Sequence, residues 1–152
     1  MTEDEVIQRA SIPYAYRLAY LINWYREPLL KRIEDDLSVS RSEWIVLWVL
    51  SMQEGIISRD ISELTGQARN SISRAVISLD RRGFIERRPH EKDGRASSLY
   101  MTESGDEVFR QVMPLFEERE TSLLSGLDVA ERKKFMHLLE KLCSHVPNWK
   151  DI

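Results

Sequence analysis

The sequence predicts a mainly α fold: a winged helix-turn-helix lobe with a small β-wing, flanked by N- and C-terminal helices whose stripes need a partner, either in a larger core of the same chain or in a dimerisation arm. Three observations carry this. Two short helical patterns in residues 58–82 are separated by a turn at Thr65-Gly66-Gln67. Two short strand patterns follow, joined by a charged loop containing Asp93-Gly94, a hairpin-tip signal. Long apolar stripes at helical spacing lie outside this stretch at both ends of the chain.

Met1 to Ala10 are polar and charged and are expected to fray. Pro13 suits the first turn of a helix over Tyr14 to Asp36, whose stripe is Leu18, Leu21, Ile22, Tyr25, Leu29 and Ile33. Pro28 falls inside it; because the stripe stays in register, a kink is expected and not an end. Leu37 to Val39 read as a linker. Ser40-Arg41-Ser42-Glu43 reads as a capping box opening a helix to Met52. That helix is apolar nearly all round, so it should be the central helix, covered on most sides. Gly55 should end it, Ile56-Ile57 should pair with the wing as a short third strand, and Ser58 should cap the next helix.

The helix from Arg69 to Arg82 is the candidate DNA reader. Ile72, Ala75, Val76 and Leu79 share one face, and Asn70, Arg74, Ile77 and Arg81 occupy the other, with Ser73 and Ser78 beside them. Arginine pairs bidentately with guanine, asparagine with adenine, serine reaches bases or phosphates, and an outward isoleucine suits a thymine methyl. A polar outer face is also what any solvated helix shows, so the wing matters. Phe84 to Arg88 and Ser97 to Thr102 are its strands, the second with Leu99 and Met101 on one face and Ser98 and Tyr100 on the other. Arg95, near the tip, can enter a narrow, strongly negative minor groove, and Asp93 can hold an arginine in a fixed pose. The candidate DNA contacts are Arg69, Asn70, Ser71, Ser73, Arg74, Arg81, Lys92, Asp93 and Arg95.

Beyond the wing, Thr102 should cap a helix toward Ser125, bent at Pro114 and stopped by Gly126. Asp128-Val129-Ala130-Glu131 should cap the last helix, with the stripe Phe135, Leu138, Leu139 and Leu142.

Several stretches together resemble the multiple-antibiotic-resistance regulator (MarR) family of bacterial transcription factors. They are Ser42-x-Trp44-x-x-Leu47, Ile72-Ser73-Arg74, the run Leu79-Asp80-Arg81-Arg82-Gly83-Phe84-Ile85-Glu86-Arg87, Asp93-Gly94-Arg95 and Thr102-x-x-Gly105. Gln67 departs from the apolar residue usual in the family. The resemblance implies one MarR-like domain over 1–152, with 40–102 as the winged helix-turn-helix and about 12–36 and 103–146 as dimerisation helices. It implies a homodimer on palindromic double-stranded DNA, because a two-fold dimer presents two reading helices one DNA turn, about 34 Å, apart. It also implies a repressor released by a small effector bound between arm and lobe. Tyr14, Arg17, Trp44 and Trp48 are the candidate lining, and aromatic walls with one cation suit an aromatic carboxylate or phenolic ligand.

Composition agrees with this reading. Hydrophobic content of 42% supports a core. The net charge of −3 is uneven: residues 69–95 carry eight Arg/Lys against four Asp/Glu, so +4 sits there and −7 elsewhere. Such a patch turns its basic face to a duplex. No apolar run is long enough for a membrane span and no secretion signal opens the chain, so a cytoplasmic protein is expected. An enzyme finds no support: there is no glycine-rich phosphate loop, no G-x-S-x-G and no His-Glu-x-x-His, and no cofactor is implied. His137 with Glu140 reads as a wet surface pair and not a metal site, Glu34-Asp35-Asp36 as solvated charge, and Cys143, in apolar flanks, as a buried inert thiol. The alternative kept beside DNA binding is a winged helix that binds protein. It would need apolar anchors where Arg74 and Arg81 stand, and only Ile77 supports it.

Overall fold

The structure, a computed structural model, describes residues 2–91 and 96–149. The elements follow in the order α1 (Glu3–Arg9), α2 (Pro13–Leu37), α3 (Arg41–Met52), α4 (Ser58–Thr65), α5 (Arg69–Arg81), β1 (Ile85–Pro89), β2 (Ser97–Met101), α6 (Glu103–Leu123) and α7 (Val129–Ser144), then a 3-10 turn at Val146–Asn148. Contacts divide the chain into two compact units, Met1–Phe116 and Glu117–Ile152, the boundary falling within α6.

In the first unit, α3 serves two cores. Its Val46, Leu47, Val49 and Leu50 pack with Ile61 of α4, with Ile72, Ala75, Val76 and Leu79 of α5, and with Ile85 and Leu99 of the wing. Its Trp44 packs with Leu29, Leu30 and Ile33 of α2, with Val39, and with Val112 of α6. The helix starts where the sequence says it should. Ser40 Oγ accepts from Glu43 N at 3.4 Å, and the Glu43 carboxylate accepts from Ser40 N at 2.8 Å.

The helix-turn-helix closes at Gly66, the C-cap of α4, whose φ of 67° is a left-handed conformation that glycine adopts without Cβ strain. The wing is an antiparallel pair with Ile85 opposite Met101 and Arg87 opposite Leu99. The third strand shrinks to one bridge, Ile56 with Leu99, flanked by Gly55 N donating to Leu99 O at 2.8 Å. Ile57 instead becomes the N-cap of α4, so Ser58 is its first helical residue and caps nothing. Thr102 opens α6 as expected, accepting from Gly105 N at 3.2 Å while donating to Gly83 O at 2.6 Å. Gly105 has no room for a side chain: a Cβ there would overlap Phe84 O and stand 3.0 Å from Met101 Cγ.

Other expectations need correction. Residues 3–9 form a helix capped by a Thr2–Glu5 box, where fraying was expected. As expected, Pro28 does not end α2, which runs on to Leu37. α6 ends at Leu123, ahead of Gly126. Ser98, on the face opposite Leu99, is buried as well, its Oγ 2.9 Å from His90 Nδ1, so both faces of β2 are covered at that point. Cys143 is exposed, because the stripe of α7 that was to bury it is itself uncovered.

The second unit is thin. α7 starts at a reciprocal box, Asp128 Oδ1 accepting from Glu131 N and Glu131 Oε2 from Asp128 N, both at 2.9 Å. None of its residues is buried, and Met136, Leu138 and Leu142 are exposed. The N-terminal half of α2 shares this trait, with Tyr14, Leu18, Leu21, Ile22 and Trp24 exposed.

Candidate nucleic-acid interface

The inner face of α5 is Ile72, Ala75, Val76 and Leu79, each at most 5% exposed. Burying that face leaves the opposite one outward. Arg69, Asn70, Ser73, Arg74, Ile77 and Arg81 are all exposed, with Ser71 and Ser78 half-buried at the edge. A helix held on one side by a packed core, with three cations and two short polar groups facing water, has the shape and chemistry to enter a major groove. Arg69, at the first position of α5, also pairs with Glu63 of α4 at 3.3 Å, an exposed contact of little energetic weight.

Beside this face lies a cleft of about 390 Å³, lined by Ser40, Ser42, Glu43, Ser71, Arg74, Ala75 and Ser78. Glu43 is 5% exposed. Burial by itself would raise its carboxyl, but hydrogen bonds from the Ser40 backbone and from the Ser78 and Ser40 hydroxyls, with the Arg82 charge, outweigh that and hold it below its usual value. It is therefore an anion at neutral pH, with the Arg82 charge beside it.

Arg81 and Arg82, adjacent in sequence, face apart. Arg81 points to solvent, whereas Arg82 turns inward. Arg82 Nη1 donates to Ser38 O at 2.8 Å and to Glu43 Oε1 at 3.1 Å, Nη2 donates to Leu37 O at 3.4 Å, and the guanidinium lies 4.6 Å from the Phe84 ring centre. The sequence reading put Arg81 on the outward face and gave Arg82 no role, in line with the turn of about 100° between neighbours on a helix.

On the wing, Arg87 and Arg88 of β1 are exposed cations that the list of candidates missed. Arg87 Nη2 donates to Ser97 Oγ at 3.4 Å; Arg88 pairs with Glu86 and lies 4.1 Å from the Tyr100 ring centre. Two adjacent cations on a strand next to a charged loop were the available signal. Lys92, Asp93 and Arg95, with the Asp93-Gly94 turn, lie outside the described residues.

The four candidate effector residues part company. Tyr14 is 86% exposed on the first turn of α2, and Arg17 Nη1 donates to Pro13 O at 3.0 Å. Trp48 is 43% exposed on α3. Trp44 is a core residue: it is 6% exposed and stacks on Phe109 at 5.4 Å and on Phe116 at 4.9 Å between ring centres. Both its faces are taken, so it cannot wall a ligand cleft.

With this geometry established, comparison with known proteins places the lobe. Residues 37–96, which run from the end of α2 through the reading helix to the wing, match the MarR family. Over these residues the chain is similar to that family. A curated relative, the HTH-type transcriptional regulator BilQ of Clostridium symbiosum, is 34% identical over 93 residues, covering 61% of this chain and 65% of BilQ. The transcriptional repressor MprA of Escherichia coli is 30% identical over 110 residues, covering 71% of this chain and 62% of MprA. The chain thus spans just under two thirds of the length of either relative. The fold of a mutant Escherichia coli MarR, solved in complex with operator DNA, superposes with a TM-score of 0.71 over 86% of this chain and 94% of that one, at 21% identity. By name, one of these relatives is a transcriptional regulator and the other a transcriptional repressor. No described helix of this chain is long and apolar enough to cross a membrane.

Proposed function

We propose that the chain is a sequence-specific DNA-binding regulator of transcription that acts as a homodimer on a palindromic operator in the cytoplasm and represses the genes it covers. The observation that carries the reading is the outward face of α5, with Arg69, Asn70, Ser73, Arg74, Ile77 and Arg81 presented by a helix whose opposite face is fully packed. The repressor name of one relative and the operator bound to one structural neighbour support it. The exposed apolar stripes of α2 and α7 support the dimer, because such stripes on a lone chain call for a partner surface.

In this reading Arg74 reads base edges and Arg95, with Lys92 and Asp93 near it, belongs to the wing that reaches the minor groove. The test is selection of a binding sequence from random duplexes, followed by titration of variants. Arg74→Ala should cost about 1–3 kcal/mol and relax sequence preference at one position of each half-site. Arg95→Ala should weaken binding evenly across sequences and lower the salt slope by about one. If no duplex is selected, or both variants bind like wild type, the protein-binding reading for which exposed Ile77 speaks takes precedence.

For the effector we propose a small aromatic carboxylate anchored by Arg17, with Tyr14 and Trp48 as the aromatic surfaces and Trp44 no longer among them. Such a ligand should perturb Trp48 fluorescence and weaken operator affinity by about 5–150-fold. Arg17→Ala should remove that response and leave operator binding in place. A panel of phenolic and aromatic acids at millimolar levels that moves neither signal sinks the effector assignment.

A further inference from the structure

Arg82 follows the last residue of the reading helix, yet every contact it makes points away from the DNA-facing side. Two of its three hydrogen-bond acceptors are the carbonyls of Leu37 and Ser38, the last residue of α2 and its C-cap. Carbonyls at a helix C-terminus lack partners within their own helix and carry the negative end of its dipole. Arg82 therefore caps a helix 44 residues away in sequence. Its third acceptor, Glu43, belongs to the capping box that starts α3. One guanidinium thus joins the end of α2, the start of α3, the end of α5 and, through Phe84, the entry to β1.

This contact does more than add burial. The apolar face of α5 is already packed without it. What a planar fork contributes is direction, since its donors fix both distance and angle to their acceptors. Ser38 points the same way. It holds φ of 54°, uncommon for a residue with a Cβ, and its carbonyl receives the shortest of the three bonds.

We propose that Arg82, with Glu43 as its buried counter-ion, is a positioning residue that locks the reading helix to the C-terminal end of α2. Displacement of that end is then passed to α5, and Arg82 itself touches no DNA. The operator part of the test rests on the DNA-binding reading; the distance part does not. In a Cys143→Ser background, spin labels on Lys31→Cys of α2 and Ser73→Cys of α5, both exposed, report the α2–α5 distance in one chain when labelled protein is diluted with unlabelled.

Wild-type Arg82 should give one narrow distance distribution. Arg82→Met, which keeps the stem over Phe84 and loses the fork, should broaden or shift it with helical content unchanged by circular dichroism. Unlabelled Arg82→Met should also bind the selected operator at least about fivefold more weakly than wild type. Arg82→Lys, a cation without the fork, should recover part of both signals, which simple loss of stability would not produce; if Arg82→Met does not fold, Arg82→Lys and Arg82→Gln supply the comparison. A folded variant with an unchanged distance distribution overturns the proposal, whatever the DNA result. If wild type binds no duplex, the DNA-binding reading falls and the distances still decide the clamp.

Discussion

α5 and α7 carry the same kind of sequence pattern and meet opposite fates. In α5, Ile72, Ala75, Val76 and Leu79 are spaced to share a face, and all are buried against α3, α4 and the wing. In α7, Phe135, Leu138, Leu139 and Leu142 are spaced just as well, and none is buried. Periodicity therefore states that a face must be covered and not by what. In α5 the cover lies within the same chain, so the outward polar face becomes the informative one. In α7 the apolar face itself is informative, and the proposed second copy of the chain is what covers it.

The largest test of that contrast compares two leucines. Leu79→Ala opens a cavity in a fully packed site and should cost about 2–5 kcal/mol in denaturant unfolding. Leu142→Ala, at a position 57% exposed, should stay within about 0.5 kcal/mol in dilute protein while weakening self-association measured by sedimentation. Equal costs at every concentration would mean that both stripes are buried within one chain, and the contrast would be lost. Next in size is Gly105→Ala. The added Cβ meets the Phe84 carbonyl, a backbone atom that also accepts from Thr102 N at 3.1 Å and so cannot move freely. A loss of about 1–3 kcal/mol is expected from such overpacking, read as a lower denaturant midpoint. A neutral result would show that the join between wing and α6 is loose.

A smaller effect belongs to Glu43. Its carboxyl is depressed in the folded state, so its contribution to stability is fully present above the usual glutamate value and is lost as pH falls through the lower folded value. Acid titration of unfolding stability should show this limb below about pH 4.5, and Glu43→Gln should flatten it. An unchanged acid limb would show that the Glu43 charge is not held by the lobe. The smallest effect is Ser38→Gly, which relieves a left-handed serine. It should be neutral or stabilising by up to about 1 kcal/mol, and a clear destabilisation would mean that the Ser38 side chain holds the linker.

What the residues alone made legible was local. The capping boxes at Ser40–Glu43 and Asp128–Glu131 involve partners three residues apart, and both formed as read. The stripe of α5, the turn at Gly66 and the Thr102 cap are likewise set by near neighbours, whose geometry the backbone imposes wherever they lie. The tertiary structure decided the rest, because those outcomes depend on which distant segment arrives. Trp44 and Trp48 sit on one helix that is apolar nearly all round, so no pattern could say that Phe109 and Phe116 would enclose the first and leave the second exposed. Arg81 and Arg82 are the same residue type at adjacent positions. The helical turn already sets them on different faces, but only the arrival of the Leu37 and Ser38 carbonyls beside Glu43 makes the inward one a tie.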